Sequence, residues 1–260
     1  MRRAIMWSSR SCRVAARACR VRRGGRLRVS RARRRIRRGC CWGGGRPWCE
    51  DAGAVNHHLG VSGFAGHIVT SARGAVKIDP AVPMEIAALF GCAVMTGVGA
   101  VANTARVPPG ASVAVLGLGG VGLACVLGAV ASGVNPVVVV DPVGEKRALA
   151  LELGATAAVA GGEGAVEVVR AATRGGAEYV FESVGHEAVL AQAFAAARQG
   201  GMTVATGLPH PSQLFSVPAV SLVAEERTVK GSYMGSAVQG AICCGLWRCI
   251  RPAGYRWIVC

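Results

Sequence analysis

The chain has 260 residues, a net charge of +16 and a hydrophobic share of 52%, which is too long for a peptide and too apolar for a wholly disordered protein. The charge is uneven. Residues 1–49 hold 17 Arg, no Lys and no acid, while the rest carries thirteen basic and fourteen acidic side chains. A uniformly basic nucleic-acid-binding surface is therefore excluded for the bulk of the chain.

The Arg-rich head reads as disordered. Four accounts of it stay open: an arm neutralising nucleic-acid phosphates, a mitochondrial transit peptide, a tail without a role, or a peptide never shaped by selection. Its only aromatics are Trp7, Trp42 and Trp48, and it carries no folded binding module, which argues against nucleic acid as a partner. Five of the eleven cysteines lie in the head (Cys12, Cys19, Cys40, Cys41, Cys49) and four in the last 18 residues, leaving Cys92 and Cys125 in the middle. That sparse middle suits a cytoplasmic enzyme with reduced thiols.

Further along, Phe64 to Thr70 and Ala75 to Ile78 read as short strands. Pro83 to Phe90 begins a helix, with Pro83 near its first turn and Glu85 favourable at its N-terminus. Gly91-Cys92 follows, then a helix of small residues through Asn103. From Val107 to Val140 there is no charged residue. That length could span a membrane, but Asn135-Pro136 and the glycines break any helix. Two buried parallel strands flanking an apolar helix give the same gap, so no membrane is expected.

Within this run lies Val113-Ala-Val-Leu-Gly117-Leu118-Gly119-Gly120-Val121-Gly122, and Asp141 ends the next apolar run. The pattern is strand, G-x-G-x-x-G, helix, strand, acid. Gly117 permits a tight turn, Gly119 lets the backbone approach a pyrophosphate, and Gly122 lets helix pack on strand. Asp141 can accept hydrogen bonds from a ribose 2′-hydroxyl and would repel a 2′-phosphate. The expected cofactor is therefore NAD rather than NADP.

After Val137 to Val140, strands are expected at Ala157 to Val159, Tyr179 to Phe181 and Met202 to Ala205. Helices are expected at Gly120 to Ser132, Glu145 to Leu153, Glu163 to Thr173 and Glu187 to Arg198, the last ended by Gly200-Gly201. Alternation with short Gly-rich links specifies an α/β fold, a doubly wound parallel sheet of Rossmann type.

The chain resembles the zinc-containing medium-chain alcohol dehydrogenases from about Asn56 to Ser236. The carrying stretches are G-F-A-G-H-I-V (63–69), V-K-I-D-P (76–80), A-A-L-F-G-C-A-V-M-T-G-V-G-A-V (87–101), V-P-P-G-A-S-V-A-V-L-G-L-G-G-V-G (107–122), E-L-G-A-T (152–156), F-E-S-V-G (181–185) and K-G-S-Y-M-G-S (230–236). The resemblance implies NAD and zinc as cofactors and a small alcohol or aldehyde as substrate; the family forms dimers, but whether this chain is a homo-oligomer is left open. It implies that Cys92 is a zinc ligand and that Thr96 lies beside the nicotinamide as the catalytic-site residue. It implies that Gly117, Leu118, Gly119, Gly120, Val121 and Gly122 form the pyrophosphate turn. Asp141 and Lys146 then lie on the adenosine ribose, and Gly207-Leu208 near the nicotinamide.

The departures are equally specific. The family's other zinc ligands, a Cys and a His, belong to an N-terminal barrel-like domain that the head does not resemble. His57, His58 and His67 sit outside the ligand motif, and one thiolate cannot hold a tetrahedral zinc. The expected organisation is a head (1–54), a remnant of the barrel-like catalytic domain (55–100), a dinucleotide-binding domain (101–236) and an aberrant tail (237–260).

The genetic code offers an account of the ends. Read two bases later, the codons implied by Ala241–Cys260 turn Trp257-Ile258 into Asp. With GC-rich choices elsewhere they give a peptide ending A-G-R-L-P-V-D-R-L, similar to the family's own ending. Residues 1 to about 54 and those after about Gly240 are therefore expected to be out-of-frame sequence. The coding DNA through residues 1–60 and 230–260 is the place to find the inserted or missing bases.

Overall fold

The structure, a computed structural model, describes residues 48–50, 53–55, 63–64, 66–68, 75–76, 78, 80 and 82–237. Most of the Arg-rich head, His57, His58 and the Cys-rich tail lie outside the described residues. The chain divides into two compact units, Met1–Ala75 and Val76–Cys260.

In the first unit β1 (Trp48–Glu50) and β2 (Gly53–Val55) pair antiparallel, Trp48 opposite Val55 and Glu50 opposite Gly53. Two intervening residues, the commonest hairpin spacing, separate the strands. The strands expected from Phe64 and from Ala75 are absent among the described residues there, which are irregular. Phe64 and Ile68 are exposed, so their apolar pattern packs against no sheet face.

The second unit opens with a 22-residue helix, α1 (Met84–Ala105). Pro83 stands at its N-cap position and Glu85 in its first turn. The expected interruption at Gly91-Cys92 is instead a widened π-helical turn over Phe90–Val94, and a second occupies Ala100–Ala105. By length and composition α1 could cross a membrane. Here it is a packed helix, with Met95, Thr96, Gly97, Ala100, Val101 and Thr104 buried. It ends at Arg106, whose φ of 55° is left-handed.

The chain then alternates as the sequence predicts through β3 (Val113–Leu116), α2 (Gly120–Ala131), β4 (Val137–Asp141), α3 (Gly144–Glu152), β5 (Ala157–Ala160), α4 (Ala165–Ala172), β6 (Ala177–Glu182), α5 (Glu187–Ala196) and β7 (Ala197–Ala205), and goes on to two elements the sequence did not mark, α6 (Ala219–Ala224) and β8 (Thr228–Gly231). The uncharged run 107–140 is thus strand, helix, strand, and β3 and β4 are buried throughout. The helix expected to reach Arg198 stops at Ala196. The Arg170 guanidinium of α4 donates to the carbonyls of Ala195 and Ala197 at 3.1 and 3.2 Å, holding the chain where it turns from helix to strand.

The six-stranded sheet is wholly parallel, ordered β5-β4-β3-β6-β7-β8. Alternate strand residues feed two apolar layers. Val113, Val115, Val137, Val139 and Phe181 pack with Val101, Leu123 and Val126 on one face. Ala114, Leu116, Val138, Val140 and Val180 pack with Val169, Ala193 and Ala196 on the other. Helices on both faces of a parallel sheet are the doubly wound architecture expected.

Candidate cofactor-binding site

From β3 the chain winds outward through β4 to β5. From β6 it winds the other way through β7 to β8. The order therefore reverses between β3 and β6, and the carboxyl ends of these strands frame the crevice where such sheets bind ligands.

The glycine turn between β3 and α2 has the three properties its spacing predicts. Gly117 has φ +90°, a conformation side chains resist, and its N–H donates to the Val140 carbonyl at 2.8 Å. Gly119, at the N-cap position of α2, is extended, and a Cβ built on it meets no atom of the chain. A Cβ on Gly122 would collide with the Gly117 carbonyl oxygen. Thus one glycine turns, one leaves open space, and one permits close packing. No side chain caps α2, so its first-turn N–H groups are available to an anion.

Asp141 is buried at the end of β4. Its Oδ2 accepts the Leu118 N–H at 2.7 Å and its Oδ1 the Val143 N–H at 2.9 Å. The carboxylate therefore joins the glycine turn to the β4–α3 turn. Lys146 is exposed on α3. Its neighbour Arg147, not singled out by sequence, donates to the carbonyls of Asp141 and Pro142 at 2.6 and 2.9 Å.

Across the reversal, Ser183 follows β6 and donates from Oγ to the Gly117 carbonyl at 2.8 Å. The Val184 side chain lies against Gly117. Gly185 and Gly207 approach so closely that a Cβ on either would strike the other turn's backbone. The Leu208 side chain is exposed beside them. Beneath these turns lies Glu182, which is 1% exposed. Burial pushes its carboxyl above the ordinary value of 4.5, opposed by hydrogen bonds from the Gly185, Val184, His186 and Gly207 N–H groups.

The α1 helix meets the glycine turn from outside. A Cβ on Gly97 would collide with the Val121 carbonyl and Ala124, and a Cβ on Gly120 would sit 3.2 Å from Ala93. Thr96 is buried beside this crossing, and its Oγ1 reaches Met234 Sδ at 4.0 Å. Met234 carries φ +52° in the left-handed turn Met234–Ser236 that follows β8. No local sequence signal marked that contact, because the partners are 138 positions apart.

The nicotinamide dinucleotide suggested by sequence fits these residues: the cradle is open at Gly119, closed at Gly122 and edged by a buried carboxylate. The zinc implied by resemblance does not fit them. Cys92 is an exposed free thiol, and among the described residues no three His, Cys, Asp or Glu side chains gather as a metal site. His67 is exposed and irregular.

Residues 120–247 match the family described as zinc-binding dehydrogenase. The chain is 38% identical over 182 residues to geraniol dehydrogenase of Castellaniella defragrans, covering 69% of this chain and 48% of that protein. It thus spans about half the length of that curated relative. Among solved structures it is similar to an alcohol dehydrogenase zinc-binding domain protein from Burkholderia ambifaria, with TM-score 0.79 and 31% identity over 84% of this chain and 60% of the other. Benzyl alcohol dehydrogenase from Acinetobacter calcoaceticus gives 0.74 and 26%, over 80% and 59%.

Proposed function

This chain belongs to the zinc-binding dehydrogenase family, and from that premise we propose that its parallel domain binds NAD or NADH for hydride transfer between a primary or other small alcohol and its aldehyde. The observation carrying the reading is the Gly117–Gly122 turn, open at Gly119 and held by Asp141. NAD supplies the hydride acceptor. The first turn of α2 receives the pyrophosphate, Asp141 and Lys146 hold the adenosine ribose, and Thr96, Gly207 and Leu208 border the nicotinamide. Asp141 favours a free 2′-hydroxyl over a 2′-phosphate.

Cofactor binding is the part of the activity this chain retains best. Cys92 alone matches the family's zinc ligands, so alcohol turnover is expected to be slight. The free thiols Cys92 and Cys125 suit a cytoplasmic protein. An NADH fluorescence titration tests the binding, and zinc-dependent turnover by the same sample would contradict the second part. The 17 arginines of the head support an alternative, a non-catalytic dinucleotide-binding protein with a nucleic-acid-binding arm. Salt-dependent DNA binding lost on deleting residues 1–49 would favour it.

A further inference from the structure

We propose that Glu182 is a positioning residue for the nicotinamide half of the cofactor: its carboxylate holds the Ser183–Gly185 turn in register with the Thr206–Leu208 turn, making the two one wall of the crevice. The inference rests on reading this crevice as a nicotinamide dinucleotide site.

Glu182 is the last residue of β6, on the β6 side of the strand-order reversal. Its Oε1 accepts the N–H groups of Val184 at 2.7 Å and Gly185 at 2.6 Å. Its main-chain carbonyl accepts the Thr206 N–H at 2.8 Å, the Gly207 N–H at 3.1 Å and the Thr206 hydroxyl at 2.6 Å. One residue therefore gathers both turns, and they touch without intervening side chains because Gly185 and Gly207 carry none.

The carboxylate acts from below. By drawing the Val184 and Gly185 N–H groups inward, it leaves the Val184 side chain at the surface, 54% exposed, beside Gly117. The Ser183 hydroxyl then ties the same turn to the glycine turn through the Gly117 carbonyl. A buried carboxylate is costly in a core that an apolar side chain could fill. At this point it accepts N–H groups that an apolar side chain would leave without a partner. Asp141 has the matching place at the end of β4, where it holds Leu118 and Val143. Two carboxylates at two strand ends thus serve the two halves of one dinucleotide.

Burial raises the carboxyl's pKa, so a neutral amide is the conservative replacement, its carbonyl accepting the same two N–H groups. The test compares wild type with Glu182→Gln, Glu182→Asp and Glu182→Ala, titrating each full chain with NADH and separately with AMP, which occupies only the adenosine half. Wild type failing to bind either ligand overturns the reading of the crevice itself. With wild-type binding in place, Glu182→Ala is expected to weaken NADH about tenfold and AMP by less than about twofold, with Glu182→Gln close to wild type. Glu182→Asp, one methylene shorter, should fall between them and keeps the test available if the alanine variant does not fold. Equal losses for NADH and AMP, or no loss of NADH binding in either the aspartate or the alanine variant, would overturn the positioning role.

Discussion

The Asp141 carboxylate accepts the Leu118 N–H at 2.7 Å, so the acid that closes β4 also fixes the glycine turn that closes β3. A residue expected only to face a ribose therefore has a second task. Asp141→Ala should weaken NADH by about ten- to a hundredfold, since a charge-assisted hydrogen bond contributes ~1.5–3 kcal/mol. It should also lower the melting temperature by a few degrees, because Leu118 loses its acceptor. Relative affinity for NADPH should rise. Paired titrations with the two cofactors and a thermal melt check all three.

The glycines separate ligand space from packing space. A Cβ on Gly119 meets no atom of the chain, whereas one on Gly122 meets the Gly117 carbonyl. Gly119→Ala is expected to keep the wild-type melting temperature and lose NADH affinity about tenfold or more. Gly122→Ala is expected to destabilise the fold by ~1–3 kcal/mol through overpacking. Denaturant unfolding beside the titration distinguishes them.

Among the described residues of the second unit, the thiols Cys92 and Cys125 differ in environment. Cys125 is fully buried in α2, and burial pushes its thiol up to about 12. Cys92 is exposed on α1. Brief alkylation of the native protein at pH 8, read by peptide mass spectrometry, should label Cys92 and spare Cys125 until denaturant is added. Equal labelling would contradict the packing of α2.

The raised pKa of Glu182 carries a stability consequence of definite sign. The folded state holds its proton more tightly than the unfolded chain, whose value lies near 4.5. That contribution is complete below the unfolded value and is lost as pH rises through the folded one. The melting temperature of wild type should therefore drop relative to Glu182→Gln as pH rises above about 4.5, then run parallel to it. Parallel curves throughout would place the carboxyl at its ordinary value.

Much of this was legible in the sequence where a strand is buried on both faces. Val113 to Leu116 and Val137 to Val140 read as continuous apolar runs, and the glycines and Asp141 read as a cofactor turn because each has a separate physical task at fixed spacing. Contacts across long separations were illegible. The end of α5 is held by Arg170 from another helix. The passage of α1 through Gly91-Cys92 occurs in a helix packed closely on α2 at Gly97. Strand β8 is exposed along all four residues and shows no period. Glu182 did leave a signal, an acid directly after the short apolar run Tyr179–Phe181 just as Asp141 follows its own. Its role emerged only when the two turns above it were seen to touch.

The central claim is that the crevice at the β3–β6 reversal binds a nicotinamide dinucleotide. The direct measurement is NADH fluorescence titrated against the folded full chain, with Gly119→Ala alongside as a variant of matched stability. Saturable enhancement by wild type, weakened about tenfold or more in the variant, is the predicted result. No enhancement by a folded wild-type sample, or identical curves for the two proteins, would contradict the assignment.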